Sequence, residues 1–162
     1  MPPPRTCVIA NQHPRLRVDR ASIRRAFAVL DAAHARFTPE PDAPAPTGEL
    51  SVAFLTDDAL AALHGRFLDD PTTTDVITFA ADPALGTGGE ICVSADTAAR
   101  CARERKGDLG AELTLYLVHG WLHLAGHDDL EPRRKRAMRR AEARALRLLA
   151  AAGALPEFSW RR

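Results

Sequence analysis

Three histidines, His119, His123 and His127, fall within nine residues of one another, in the run His119-Gly120-Trp121-Leu122-His123-Leu124-Ala125-Gly126-His127-Asp128-Asp129. On a helix, positions i and i+4 stand one above the other on one face, so His119 and His123 can offer two ring nitrogens to one ion at about 2.0–2.1 Å each. The residues before them, from Leu109 on, are apolar enough to make that helix a central one. Gly126 then allows a left-handed residue at the helix end, which turns the chain back toward the two histidines. A fold for this chain must therefore bury a helix ending near residue 125 while keeping one side of its last two turns open.

The returning segment offers His127 or Asp129 as a third ligand, with Asp128 a weaker candidate. The spacing H-x-x-x-H-x-x-G-x-x-ligand matches the metzincin peptidase signature and puts Asp129 in the ligand position, which makes Asp129 the first choice. Two neutral imidazoles and a carboxylate are the donor set of catalytic zinc sites that keep a fourth position open. No cysteine lies nearby, as a closed structural zinc site would more often require. The position after His119 decides the chemistry, because zinc peptidases of the H-E-x-x-H type carry their general base there. Here it is Gly120, which disfavours peptide hydrolysis by that route. Glu112, two turns before His119, can either orient His119 through its second ring nitrogen or serve as a helix-dipole partner.

The rest of the chain frames this segment. With 162 residues and 46% hydrophobic residues, there is enough for one sizeable core and little for a second domain, so 1–162 reads as a single metal-hydrolase-like domain. An amphipathic helix is expected from Ser22 to Phe37, a Pro-rich loop to Thr47, and a strand from Leu50 to Leu55. A helix follows from Thr56 to Phe67, then β-rich runs Asp75 to Phe79 and Glu90 to Ser94. Helices are expected again at Asp96 to Arg105, Leu109 to Ala125 and Pro132 to Ala152, with a short edge strand at Cys7 to Ala10. The order implies an α+β fold with a small mixed sheet packed by helices, covered mainly on one face, and the metal site at the end of a central helix.

The first five residues, Met1-Pro2-Pro3-Pro4-Arg5, read as a flexible start with no apolar core of a signal peptide behind them. No apolar run approaches the roughly 20 residues that span a bilayer. A cytoplasmic protein with no membrane partner is expected, and Cys7, Cys92 and Cys101, odd in number and without a C-x-x-C pair, fit reduced thiols. Net charge is +1, yet Glu131 to Arg162 holds ten Lys/Arg against three Asp/Glu. Arg133, Arg136, Arg140, Arg144 and Arg147 make a stripe along the last helix, readable as a solvated face or as contact to a phosphate backbone.

On these motifs the sequence resembles the YbeY family of metal-dependent endoribonucleases of ribosomal RNA maturation, whose motif reads H-G-x-L-H-L-x-G-[H/Y]-D-H. Leu63 to Leu68 with Thr74-Asp75-Val76-Ile77-Thr78-Phe79 is similar to the family's second block, and Gly89-Glu90-Ile91-Cys92-Val93-Ser94 to its G-D-I-x-I-S strand. Three positions depart: Asp129 stands for the third histidine, Leu68 for an arginine and His64 for an asparagine. The first changes the ligand set without abolishing it, whereas the second removes a guanidinium fork suited to phosphate.

The resemblance implies one zinc, or another divalent ion, held by His119, His123 and Asp129. It also implies cleavage of single-stranded RNA in 3′-end maturation of small-subunit (16S) rRNA and in ribosome quality control, with the small subunit or its proteins as partners. His127 is then an acid/base or supporting group, or a solvent-facing turn residue. The competing readings are a non-catalytic RNA- or ribosome-binding module with a structural metal, a divergent metallopeptidase, and an iron oxygenase with the same donor set.

Overall fold

The computed structural model describes residues 5–68 and 75–161, the side chains of 66–68 excepted. The order of elements is β1 (Thr6–Asn11), β2 (Leu16–Val18), α1 (Arg20–Ala32), a 3-10 turn (His34–Arg36), β3 (Glu49–Leu55), α2 (Asp57–Leu68) and β4 (Val76–Phe79). After a second 3-10 turn (Pro83–Leu85) come β5 (Thr87–Ser94), α3 (Ala95–Glu104), α4 (Leu109–Leu124), α5 (Pro132–Ala151) and β6 (Phe158–Trp160).

The main sheet has the order β1-β3-β5-β4, parallel throughout except for β4, which runs antiparallel to β5 and forms one edge. On one face α1, α4 and α5 enclose the larger core, with Ile23, Leu30, Phe54, Ile91, Leu113, Trp121, Leu122, Met138 and Leu149 all but fully buried. On the other, α2 covers a small cluster of Leu55, Leu60, Ile77 and Cys92. The expected α+β architecture, covered mainly on one face, is what forms.

The helices start where side chains can accept their first free N–H groups. Asp19 accepts from Ser22, Ser94 from Thr97 and Asp108 from Ala111, while Thr56 Oγ1 accepts from Ala59 at the start of α2. Apolar on most of its circumference, α4 is buried between the sheet and α5, as such a helix must be. Gly120 sets how closely it lies on the sheet, since a Cβ there would stand 2.7 Å from Ile91 Cγ2.

Two strands have no counterpart in the sequence reading. β2 and β6 pair antiparallel, Leu16 opposite Trp160, across nearly the whole chain length. Three-residue strands carry too little alternation to be seen locally, and only their partner defines them. The helix expected to reach Phe37 stops at Ala32, and the 3-10 turn from His34 to Arg36 follows it. The flexible start expected over 1–5 falls mostly on residues outside those described, but Arg5 is not free: its guanidinium grips Asp31 and donates to the Gly88 carbonyl at 2.8 Å. All three cysteines are unpaired, and burial pushes the thiols of Cys7 and Cys92 up to about 11 and about 12. Among the described residues no helix is long and apolar enough to cross a membrane.

Candidate metal centre

The C-terminal end of α4 closes in a Schellman arrangement: Gly126 takes φ 110°, its N–H donates to His123 O at 3.1 Å, and the His127 N–H donates to Leu122 O at 3.0 Å. Thr38 Oγ1 donates to the Ala125 carbonyl at 3.0 Å. The chain is thereby reversed within two residues and Asp129 comes back beside the helix. The result is a group of three: one ligand atom each from His119, His123 and Asp129 all lie within 4.8 Å of one another.

Within the group the two Nε2 atoms are 3.0 Å apart, His119 Nε2 is 3.5 Å from Asp129 Oδ2, and His123 Nε2 is 3.7 Å from Asp129 Oδ1. Ligands at 2.0–2.2 Å from a tetrahedral ion stand roughly 3.3–3.6 Å from one another, so these separations fit one ion with small adjustments. The opposite ring nitrogens fix the tautomers. His119 Nδ1 meets Glu142 Oε1 at 3.0 Å, and His123 Nδ1 donates to the His127 carbonyl at 3.0 Å. With both Nδ1 atoms donating, both Nε2 atoms turn lone pairs toward one point, next to a carboxylate. Such an arrangement is repulsive until a proton or a cation occupies that point, and it is the donor chemistry of a metal site.

The electrostatics of the two rings differ. For His119 burial is the largest single influence and lowers the pKa, but Glu142, Asp129 and Asp75 together outweigh it and raise the value above the ordinary one. For His123 burial and the neighbouring His119 lower it, against the weaker pull of Asp129. His123 is the better neutral donor of the pair.

Of the expected residues, the structure brings together His119, His123 and Asp129 and leaves the alternatives out. His127 turns its ring away and donates from Nε2 to the Phe37 carbonyl at 2.6 Å, so it is neither a ligand here nor a solvent-facing turn residue. Its contribution is the backbone carbonyl that orients His123. The Asp128 carboxylate is engaged by Arg134 and the Leu130 N–H at the start of α5. Glu112 does not reach His119; it pairs with Arg105 at 3.0 Å, and its second oxygen is buried without a partner. The orienting carboxylate is Glu142 instead, which the sequence reading missed. Its signal was its isolation, as the one acidic residue within the Arg-rich helix Pro132–Ala151.

Gly120 has no room for a general base: any side chain would enter the Ile91 side chain. The Leu68 side chain, where the resemblance expects an arginine, and Thr74 lie outside the described residues.

Comparison with known proteins bears on this site. A family model described as Endoribonuclease YbeY matches residues 8–150. A curated Endoribonuclease YbeY of Anaeromyxobacter sp. (strain Fw109-5) is 36% identical over 152 residues, covering 92% of this chain and 74% of the relative. That of Anaeromyxobacter dehalogenans is 39% identical over 65% of this chain, and the match spans 56% of the relative's length. That of Chlamydia abortus is 38% identical over 111 residues, 64% of this chain and 70% of the relative. Among solved structures, the solution structure of a Thermotoga maritima protein superposes with a TM-score of 0.61 over 91% of both chains at 20% identity, a likeness of fold.

Proposed function

The chain belongs to the Endoribonuclease YbeY family, and from that premise we propose that it is a divalent-metal-dependent endoribonuclease specific for single-stranded RNA, acting in the cytoplasm on the 3′ end of small-subunit (16S) rRNA and in ribosome quality control. It is a hydrolase of RNA phosphodiester bonds with a role in rRNA processing. The observation that carries the metal-dependent reading is the convergence of His119, His123 and Asp129 with both imidazoles held from behind.

In this reading those three residues hold one ion, zinc by the donor set, and the site follows the metzincin-like layout of two helical ligands and a third returned by a glycine turn. A bound ion would supply Lewis acidity, offsetting charge on the scissile phosphate and making water nucleophilic near neutral pH. Glu142 holds the proton of His119 at Nδ1, and the His127 carbonyl holds that of His123, so both Nε2 atoms stay available. The Schellman turn keeps Asp129 at the same point. Position 120, where a peptidase of the H-E-x-x-H type carries its base, holds a glycine packed against Ile91, which favours phosphodiester over peptide chemistry. The exposed stripe of Arg133, Arg136, Arg140, Arg144 and Arg147, without a carboxylate partner within 4.0 Å among the described residues, suits an RNA backbone or the small subunit that carries it.

The test is elemental analysis of protein purified without added metal, together with cleavage of a single-stranded and a duplex oligoribonucleotide by the parent and by His123→Ala. About one zinc per chain and cleavage of the single strand alone, both lost in the variant, are expected. A metal-free parent, or cleavage that survives in His123→Ala, would overturn the reading.

A further inference from the structure

One histidine outside the metal centre is unexplained by it. His34, in the 3-10 turn after α1, is 8% exposed, and among the described residues its ring makes no hydrogen bond. Its ring lies edge-on to Trp121, with centroids 6.1 Å apart. Neither ring nitrogen is sealed from solvent, so the polar edge of this largely buried ring faces open space and can take a partner from outside. His34 lines a cavity of about 320 Å³. The floor includes Trp121 and Leu124 from α4, and the walls include Pro44 and Pro46 of the Pro-rich loop and Pro83 beyond β4.

The chemistry of this cavity narrows the ligand. It is not an anion site: the Arg5 guanidinium on its wall is spent on Asp31 and the Gly88 carbonyl. Burial lowers the His34 pKa below the ordinary histidine value, so near neutral pH the ring offers one donor and one acceptor. The exposed Glu40 carboxylate, also on the lining, adds an acceptor at the rim. A lining that is part apolar and part polar, with a neutral donor/acceptor ring and a carboxylate, suits the apolar faces and polar edge of a nucleobase, and unstacked bases are what proteins read in single-stranded RNA.

The position supports the same occupant. Leu124, Ala125 and Gly126, which follow the ligand His123 directly, are part of the lining, so metal centre and cavity share the last turn of α4. The edge strand β4 packs against α4, and the chain just beyond its far end, at Ala81 and Pro83, lines the cavity.

We propose that this cavity is a nucleobase subsite, holding a base of the RNA strand near the scissile phosphate and favouring bases with an exocyclic amine over uracil, because Glu40 can accept from that amine. The assignment rests on the endoribonuclease reading for the identity of its polymer, but it can be tested without cleavage.

The experiment follows the Trp121 indole N–H signal, held by Asp31 at 2.8 Å, by ¹⁵N NMR of the full chain during titration with each of the four nucleoside monophosphates, with inorganic phosphate as control. Expected are saturable shifts with the AMP, CMP and GMP series, weaker ones with UMP and none with phosphate. The exposed Ala45 on the lining gives a filling variant, Ala45→Trp, that leaves the core intact; it and His34→Leu should abolish the shifts. In cleavage assays Ala45→Trp should raise KM at least several-fold and alter the choice of cleavage position, with kcat nearly unchanged. Shifts that persist in Ala45→Trp, or a parent that cleaves RNA without responding to any nucleotide, would overturn the subsite and leave the endoribonuclease reading standing. Saturable shifts in a parent that fails to cleave any RNA would support the subsite while sinking the endoribonuclease reading.

Discussion

Two polar clusters sit at opposite kinds of helix end in this molecule. At the N-termini of α2 and α3, Asp57 accepts from the hydroxyls of Ser94 and Thr97, the latter at 2.6 Å, and from Arg100 at 3.1 Å. Asp96 accepts from the Asp57 N–H at 2.9 Å and meets His13 Nε2 at 2.7 Å. Each carboxylate lies where free N–H groups and the positive end of a helix favour it, and each finds its partners inside the protein. At the C-terminal end of α4 the opposite holds: three good ligand atoms face one another, and among the described residues no other group satisfies them. A cluster that completes itself is structure. One that is held in place from behind and left incomplete in front is built for something that arrives from outside.

The contrast can be broken from its largest consequence to its smallest. Replacing His119 or Asp129 by alanine should remove nearly all metal, measured by elemental analysis, and reduce RNA cleavage by more than roughly 10²-fold, since losing a ligand must exceed the 10–100-fold typical of an outer partner. Melting curves of the metal-free variants should match the metal-free parent. Next in size is Glu142→Gln, expected to weaken metal affinity by roughly 10–100-fold in competition with a chelator, with cleavage restored at high metal. If Glu142→Gln binds metal as tightly as the parent, the held-from-behind half of the comparison fails.

Asp57→Ala should act in the other currency. Leaving Ser94 and Thr97 without their acceptor is expected to cost about 1–3 kcal/mol in urea unfolding while metal content stays unchanged. Acid should separate the two clusters most gently. Protonation competes for the imidazoles, and the raised pKa of His119 means that metal release begins as pH falls through the histidine range. For Asp57, burial raises the pKa, but hydrogen bonds from Ser94, Thr97 and Arg100 outweigh it and the net direction is down. A depressed carboxylate stabilises the fold above its unfolded pKa and loses that contribution only as pH falls through the lower folded value. Far-UV circular dichroism should therefore stay unchanged through the pH range in which metal is released.

Much of this was legible along the chain because it is local. The histidine spacing, the turn at Gly126 and the apolar length of α4 lie within a stretch of some twenty residues, and helix geometry alone puts His119 and His123 on one face. The β3, β4 and β5 runs are marked by their own alternation and composition. Glu142, 23 residues beyond His119, was not legible as its partner. Glu112 had the right helical phase but met Arg105 first. Phase within one helix says which residues share a face, and says nothing of which other helix crosses that face.

The sequence by itself determined the α+β class, the helix that carries the two histidines, and the glycine turn that returns Asp129. These depend on backbone periodicity and on the conformational freedom of a single residue, both short-range properties. Only the tertiary structure decided that Asp129 and not His127 faces the pair, that α5 supplies the carboxylate behind His119, that Gly120 is required by Ile91, and that β2 finds β6. Those outcomes rest on contacts between segments far apart in the chain, and such contacts are set by how the faces pack together, which no single stretch of the chain specifies.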